Sequence, residues 1–229
     1  MRKLVLGMAL ASSALATPAL ARNGSWYVEV DGGAMIVEDQ KLNVGGTAGA
    51  AGIDYDYGYD FGGIVGYDFG GFRLEAEASY READPESLTS TVGIPTTSGA
   101  LAARRTGTFK APNVAGDGNV LSFMLNGLLD FGPDDGLQGF VGGGVGVARV
   151  KIENSIDPTG QGFLNDSDSG FAWQAIAGVR APISDSWDVG LKYRFFNANK
   201  IDLVDSVGRP VRTKWRSHSL LGTIAYNFG

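Results

Sequence analysis

The chain has no cysteine and a single histidine, His218. It can form no disulfide framework, no thiolate metal site and no cysteine nucleophile, and no site built from several imidazoles. Beyond the N-terminus there is no run of about 18 apolar residues, so no segment reads as a membrane-spanning helix. Charged residues make up 19% and the net charge is -6. This acidic balance argues against nucleic acid, whose binders are usually basic. The 35 glycines show no Gly-X-Y period, which excludes collagen. A hydrophobic share of 44% excludes a disordered polyelectrolyte.

The first 21 residues read as a secretory signal peptide. Met1-Arg2-Lys3 is a short basic start, and Leu4 to Leu15 is an apolar run too short to span a bilayer. Ala19-Leu20-Ala21 has the small-x-small form of a cleavage site. Residues 22–229 are then the exported barrel domain described next.

Apolar and polar residues alternate through this part with period two, which marks strands with two unlike faces. In Phe72 to Arg81, one face carries Phe72, Leu74, Ala76, Ala78 and Tyr80, and the other Arg73, Glu75, Glu77, Ser79 and Arg81. Tyr57 to Phe69, Leu121 to Phe131, Phe171 to Ala181 and Trp187 to Phe195 repeat the pattern. Trp26 to Val37, Gly139 to Ile152 and Lys214 to Phe228 are less even and complete a set of eight. The faces of Gly139 to Ile152 are ambiguous, because Val141, Val145 and Val147 share parity with Arg149 and Lys151.

Connections alternate in length. Gly70-Gly71, Gly132 to Gln138 and Ser184-Asp185 are short. Glu38 to Asp56, Glu82 to Gly118, Glu153 to Ser169 and Ala198 to Thr213 are long. Short turns at one end and long loops at the other predict an all-β, eight-stranded, antiparallel up-and-down transmembrane β-barrel. Trp26, Phe69, Phe72, Phe131, Phe140, Trp187 and Phe228 lie near strand ends and are assigned to two interfacial girdles. An Arg or Lys facing lipid costs about 2–4 kcal/mol at the midplane. The charged faces are therefore assigned to the lumen. A soluble lipocalin-like or sandwich fold would have to pack the bulky faces of every strand into one interior.

The stretch Ala19-Leu20-Ala21, the opening Trp26-Tyr27-Val28, and Gly63 to Phe69 followed by Phe72 to Glu75 resemble the small outer-membrane β-barrel family of Gram-negative bacteria. The transmembrane domain of outer-membrane protein A belongs to that family. Ser122 to Phe131 and Phe140 to Gly146 resemble its fourth and fifth strands. The resemblance implies an outer-membrane location and a structural or surface-interaction role in the envelope. Implied partners are outer-membrane lipids and lipopolysaccharide. The barrel-assembly machinery and periplasmic chaperones would act during insertion, with Tyr226 and Phe228 as the terminal assembly signal. Gly229 after Phe228 departs from the usual aromatic end. No cofactor is implied, and a monomer is expected.

An eight-stranded barrel is only wide enough for side chains to fill it. Glu29, Glu75, Glu77, Asp130 and Asp188 are expected to meet Arg73, Arg81, Arg180, Lys192 and Arg194 in a luminal charge network. A gated narrow path for ions or small solutes is the alternative. An outer-membrane lipid hydrolase is disfavoured. His218 is flanked by Ser217 and Ser219, which point to the opposite face of a strand, and Leu220 stands where a histidine-x-serine pair needs serine. Asp166 to Gly170 faintly resembles a calcium loop, but Ala177 stands where the closing glutamate belongs, so no metal is assigned. Gly142-Gly143-Gly144 lies inside a strand and is no phosphate cradle. The loop Glu82 to Gly118 carries Arg104, Arg105 and Lys110. It reads either as a mobile loop or as a contact for lipopolysaccharide phosphates, a phage or a host surface.

Overall fold

A computed structural model describes residues 24–96, 103–133, 135–156 and 162–228. The segment read as a signal peptide lies outside the described residues, as does Gly229. The described strands are, in chain order, β1 (Ser25–Val37), β2 (Gln40–Val44), β3 (Thr47–Tyr55), β4 (Gly58–Asp68), β5 (Phe72–Ala83) and β6 (Pro85–Pro95). They continue with β7 (Arg104–Lys110), β8 (Ala115–Phe131), β9 (Gln138–Ser155), β10 (Leu164–Pro182), β11 (Trp187–Val204) and β12 (Pro210–Asn227). Eight of these form a ring in the order β1-β4-β5-β8-β9-β10-β11-β12, which β12 closes by pairing with β1. Every pairing in the ring is antiparallel. Closure leaves the ring without an unpaired edge, the condition for placing strands in lipid.

The alternation predicted for each strand is the inside–outside alternation of the wall. On β5, Arg73, Glu75, Glu77, Ser79 and Arg81 are buried, while Phe72, Leu74 and Tyr80 are exposed. The same holds for exposed Tyr59, Phe61 and Val65 against buried Asp60 and Asp68 on β4. On β11, exposed Leu191 and Tyr193 alternate with buried Lys192 and Arg194. Packing across the narrow interior demands close approach at some positions. A Cβ on Gly66 would lie 2.3 Å from the Tyr27 ring, and one on Gly144 would lie 1.9 Å from the Asn126 side-chain oxygen.

Above Arg81 and Arg194 the polarity inverts. The interior becomes apolar, with Met35, Val37, Ala83, Val120, Ala148, Val150, Phe196, Ala198 and Trp215 in one cluster. The outward positions become polar, as in Arg149 on β9 and Arg212 and Lys214 on β12. The barrel thus has two storeys. The lower one has an apolar belt around a charged lumen. The upper one has a polar surface around an apolar core, like a soluble protein.

This inversion corrects several expectations. Strands β9 to β12 run 18 or 19 residues, well past the predicted ends. The parity clash on β9 is resolved: Val141, Val145 and Val147 face outward in the belt, and Arg149 continues that face above it. Two long connections are largely strand. Within Glu38 to Asp56, β2 and β3 form a hairpin, and within Glu82 to Gly118, β6 pairs with β7. The four strands extend the sheet from β12 in the order β2-β3-β6-β7. Their buried residues Leu42, Val44, Ile53, Leu88 and Ile94 cap the upper core. Burial of these side chains, at about 25 cal/mol per Å² of apolar surface, favours ordered hairpins over a mobile loop.

The girdles also differ from the expectation. Trp26, Phe69, Phe72, Phe131, Trp187 and Phe228 are exposed around the short-turn end alone. Tyr59, Tyr80, Phe171, Trp173 and Tyr193 are exposed at the other margin of the belt. Phe140 turns inward, and the Arg73 guanidinium lies 4.9 Å from its ring centre. Its parity with Gln138 and Gly142 shares the luminal face of β9, and the cation over the ring accounts for an aromatic there.

Candidate functional site: a charged lumen under an apolar-cored crown

The luminal charges form one stacked array. Nearest the short turns, Arg73 grips Asp130 with two bonds, Nε to Oδ2 at 2.8 Å and Nη2 to Oδ1 at 2.9 Å. The Tyr27 hydroxyl donates to Glu75 Oε1 at 2.6 Å, and Arg73 lies 3.4 Å from the same oxygen. Arg180 donates to Asp68 at 2.9 Å and to Gln138 at 2.8 Å. Asp188 sits close by and accepts from Asn227 at 3.2 Å.

In the middle tier, the Lys192 ammonium donates to Glu29 and to Asp31, the latter at 3.0 Å. Arg194 reaches Asp31 at 2.7 Å, Asp60 at 2.9 Å and Glu77 at 3.1 Å. Asn126 and Gln174 both donate to Glu77 Oε2, at 2.8 and 2.9 Å. In the top tier, Asp60 accepts from Arg81 at 3.1 Å and from the Ser219 hydroxyl at 2.7 Å. Arg81 also donates to Ser122 and Ser79. The array ends against apolar surface, with the Arg81 guanidinium 4.0 Å from the centre of the Phe196 ring. Phe196 is the floor of the upper core.

All ten residues assigned to the luminal network lie in this array or at its lower end. Sequence reasoning left out Asp31, Asp60 and Asp68, which carry many of the contacts. Asp31 shares the parity of Glu29, and Asp60 and Asp68 lie opposite the aromatic face of β4, so parity alone could have found them. The neutral members Ser79, Ser122, Asn126 and Gln174 carry the same parity signal on their own strands, and Tyr27 shares the parity of Glu29.

Eight carboxylates (Glu29, Asp31, Asp60, Asp68, Glu75, Glu77, Asp130, Asp188) face five cations (Arg73, Arg81, Arg180, Lys192, Arg194) in the lumen. Neutral donors cover part of this excess. Multiple hydrogen bonds to each charge are what make burial of ion pairs tolerable.

The upper storey holds the other candidate groups. In its core the Tyr55 hydroxyl donates to Gln40 at 3.0 Å, and Gln40 donates to the Lys214 carbonyl at 3.0 Å. Burial pushes the Tyr55 hydroxyl well above the ordinary tyrosine value, with the nearby Asp117 charge adding to it. The ring packs 5.4 Å from Trp215.

His218 lies on the outer surface at the margin of the belt. Its Nδ1 is 2.8 Å from the Tyr193 hydroxyl and its Nε2 is 3.2 Å from Glu38 Oε1. Ser217 and Ser219 are buried on the opposite face. Asp166 and Asp168 replace missing ladder bonds. Strands β10 and β11 pair directly only up to Ala172↔Ala198. Beyond that, Asp168 accepts from the Asp202 amide at 2.9 Å and Asp166 from the Val204 amide at 2.8 Å. Each carboxylate also accepts the next amide of its own strand. These oxygens serve the backbone of the wall. Gly142 to Gly146 run within β9, where a Cβ on Gly142 would lie 2.1 Å from the Gly127 carbonyl oxygen.

Arg104, Arg105 and Lys110 are brought together on β7, the last strand of the sheet extension, and all three are exposed. None has an ion-pair partner among the described residues. At the opposite end of the molecule, Tyr226 and Phe228 point outward in the lower girdle, 5.2 Å apart, with Trp187 against Tyr226 at 5.0 Å.

Comparison with known proteins agrees with this architecture. Residues 7–228 match the family model described as outer membrane protein beta-barrel domain. The chain belongs to that family. It is accordingly an integral outer-membrane β-barrel, with the short turns on the periplasmic side and the upper storey outside the cell.

Among curated proteins it is similar to the outer membrane protein PagN of Salmonella typhimurium, 31% identical over 40% of this chain and 39% of PagN. It is also similar to a putative adhesin of Rickettsia prowazekii, 31% identical over 48% of this chain and 50% of the relative. The chain therefore spans two-fifths to half the length of these relatives. A putative adhesin of Rickettsia bellii is 24% identical over 99% of this chain and 100% of its own length. Of solved structures, the outer membrane protein OprG from Pseudomonas aeruginosa superposes with a TM-score of 0.57 at 14% identity, covering 90% of this chain and 97% of OprG. Neisserial surface protein A gives 0.51 at 15% identity, covering 89% and 97%. At such identities these structures support the fold alone.

Proposed function

We propose that this barrel is a non-enzymatic surface-interaction protein whose working part is the extracellular storey. The observation that carries this reading is the inversion of polarity above Arg81. A membrane anchor needs only the lower storey. The chain also builds a second, apolar-cored storey, and uses it to hold ordered hairpins above the outer leaflet. The naming of two relatives as putative adhesins supports the same role. The luminal residues Glu29, Arg73, Glu75, Glu77, Arg81, Asp130, Arg180, Asp188, Lys192 and Arg194 act as a structural stem.

The stem reading is supported over a channel by the apolar roof at Phe196, Val120 and Val150, which offers a permeating ion no polar partner. It is supported over hydrolysis by His218, whose two ring nitrogens engage Tyr193 and Glu38 while the neighbouring serines are turned away. Outer-membrane lipids and lipopolysaccharide surround the belt. Residues 1–21 direct export, and Tyr226 and Phe228 serve recognition by the assembly machinery after periplasmic chaperones deliver the chain.

The test is expression in a non-adherent Gram-negative host, with binding to phage, epithelial and matrix-coated surfaces scored. The expected result is a gain of binding that disappears when residues 85–110 are replaced by a short turn. Heat-modifiable migration should be retained, showing that the ring still folds. Binding unaffected by that replacement, or conductance steps in planar bilayers, would overturn the reading.

A further inference from the structure

Every strand of the ring is paired on both sides, and the sheet extension is paired from β12 through β6. Strand β7 is the exception. Among the described residues it pairs only with β6, so one row of its backbone donors and acceptors faces outward. Six of its seven residues are exposed. A Cβ built on Gly107 would meet nothing within 4 Å, so the face of the sheet at the middle of the strand is uncovered. The strand is also anchored. Phe109 packs against the upper core opposite buried Leu88, and Thr108 meets Thr89 hydroxyl to hydroxyl at 3.0 Å. A fixed, open, exposed edge is a template for one more strand.

The charge on β7 selects among candidates for that strand. Arg104, Arg105 and Lys110 give it three cations and no carboxylate. Antiparallel pairing of β7 with its own copy, centred on Gly107, would set Arg104 against Lys110. Like charges directly opposed destabilise a strand pair, so a second copy of this chain is a poor occupant. Carboxylates at the corresponding positions would complement it.

We infer that the β7 edge binds an extended acidic peptide segment of a partner protein by strand addition. Backbone bonds to Arg104–Lys110 supply the docking, and Arg104, Arg105 and Lys110 supply the preference for acidic side chains. This inference rests on the surface-interaction reading above and names the partner chemistry.

The test uses the full-length protein in phospholipid nanodiscs and a capped, fluorescent seven-residue peptide of alternating Glu and Val, read by anisotropy. Saturable binding is expected. Methylating alternate backbone nitrogens on one edge of the peptide keeps its charge but removes its donors on that edge. Of the two such peptides, the one blocked on the docking edge should bind at least tenfold more weakly. A triple variant, Arg104→Glu, Arg105→Glu and Lys110→Glu, should lose the acidic peptide and gain one of alternating Lys and Val. Its heat-modifiable migration should match the parent. Equal binding of both methylated peptides and the unmodified one would leave only electrostatics and overturn strand addition. Absence of peptide binding, or displacement from β7 by a sulfated glycan that the methylated peptides mimic, would overturn the peptide assignment. If cell-surface binding still depends on residues 85–110 in that case, the broader reading stands and only this inference fails.

Discussion

Asp60 is the sharpest test of how the lumen is held together. Its carboxylate accepts from Arg81, Arg194 and Ser219, and its relative exposure is 0%. Asp60→Asn keeps the size and one acceptor oxygen but removes the charge. If local pairing governs stability, two guanidiniums in a water-poor interior each lose a charged partner. Removing one member of a buried pair typically costs about 3–5 kcal/mol. The opposite outcome has its own physical logic. The lumen carries eight carboxylates against five cations, so the substitution brings its total charge nearer to balance. If the summed field governed stability, Asp60→Asn would be neutral or stabilising.

Urea unfolding in phospholipid vesicles, followed by the fluorescence of Trp26, Trp173, Trp187 and Trp215, separates the two. We expect a loss of about 3–5 kcal/mol, partly recovered when Arg81→Met is added, because the second change removes a guanidinium whose one remaining carboxylate, Glu77, lies 3.8 Å away. Asp202→Asn, which breaks the exposed pair with Arg212, is the control and should have no measurable effect. An Asp60→Asn protein as stable as this control would refute local pairing as the organising force.

Other expectations follow from particular contacts. Gly66→Ala places a methyl 2.3 Å from the Tyr27 ring and should cost about 1–3 kcal/mol by overpacking, read in the same unfolding assay. Trp215→Ala removes the largest fully buried side chain of the upper core and should cost about 3–5 kcal/mol. Limited proteolysis should then cut within residues 38–56 or 84–114, with heat-modifiable migration of the ring retained. Replacing Asp166 and Asp168 by Ala should speed hydrogen exchange at the Asp202 and Val204 amides, with little change at Leu191 deep in the β10–β11 ladder. Tyr55 supplies a pH dependence. Its folded value is raised, so the stability it contributes is complete below the unfolded tyrosine value of about 10 and declines as pH rises above it. Tyr55→Phe should flatten that alkaline decline in unfolding midpoints measured between pH 8 and 11.

Much of the lower storey was legible from the chain because its physics is local. Each wall residue faces either lipid or lumen, and period two records the choice. Arg73, Glu75, Glu77 and Arg81 could be assigned inward without knowing their neighbours. The upper storey was illegible for the same reason. Once a strand leaves the membrane, water replaces lipid and the favoured faces exchange while the period stays at two. Arg149 and Lys151 therefore read as a fault in the β9 pattern, although they mark the level where lipid ends. The strands within Glu38 to Asp56 and Glu82 to Gly118 were hidden because small and polar residues dominate them, as in Thr47–Tyr55 and Pro85–Pro95, and leave little apolar alternation. Their apolar side chains have a use only over the core that Trp215, Val150 and Phe196 form beneath them.

The amino-acid sequence by itself determined the strand number of the ring, the inward charges, the outward apolar belt and the membrane the barrel belongs to. The two faces follow from free energies paid residue by residue against lipid or water, the strand number from the count of alternating segments, and the membrane from the family resemblance carried by stretches such as Gly63 to Phe69 and Phe72 to Glu75. The tertiary structure alone decided which charges meet. Asp60 on β4 and Arg194 on β11 are far apart in the chain and in the ring, and only closure of the sheet at β1 and β12 sets them 2.9 Å apart. Ring register likewise decided where the lumen ends against Phe196, and the order β2-β3-β6-β7 of the extension decided which strand, β7, was left with an open edge. Pairing and stacking across a closed wall depend on its register and diameter, and no single strand carries either.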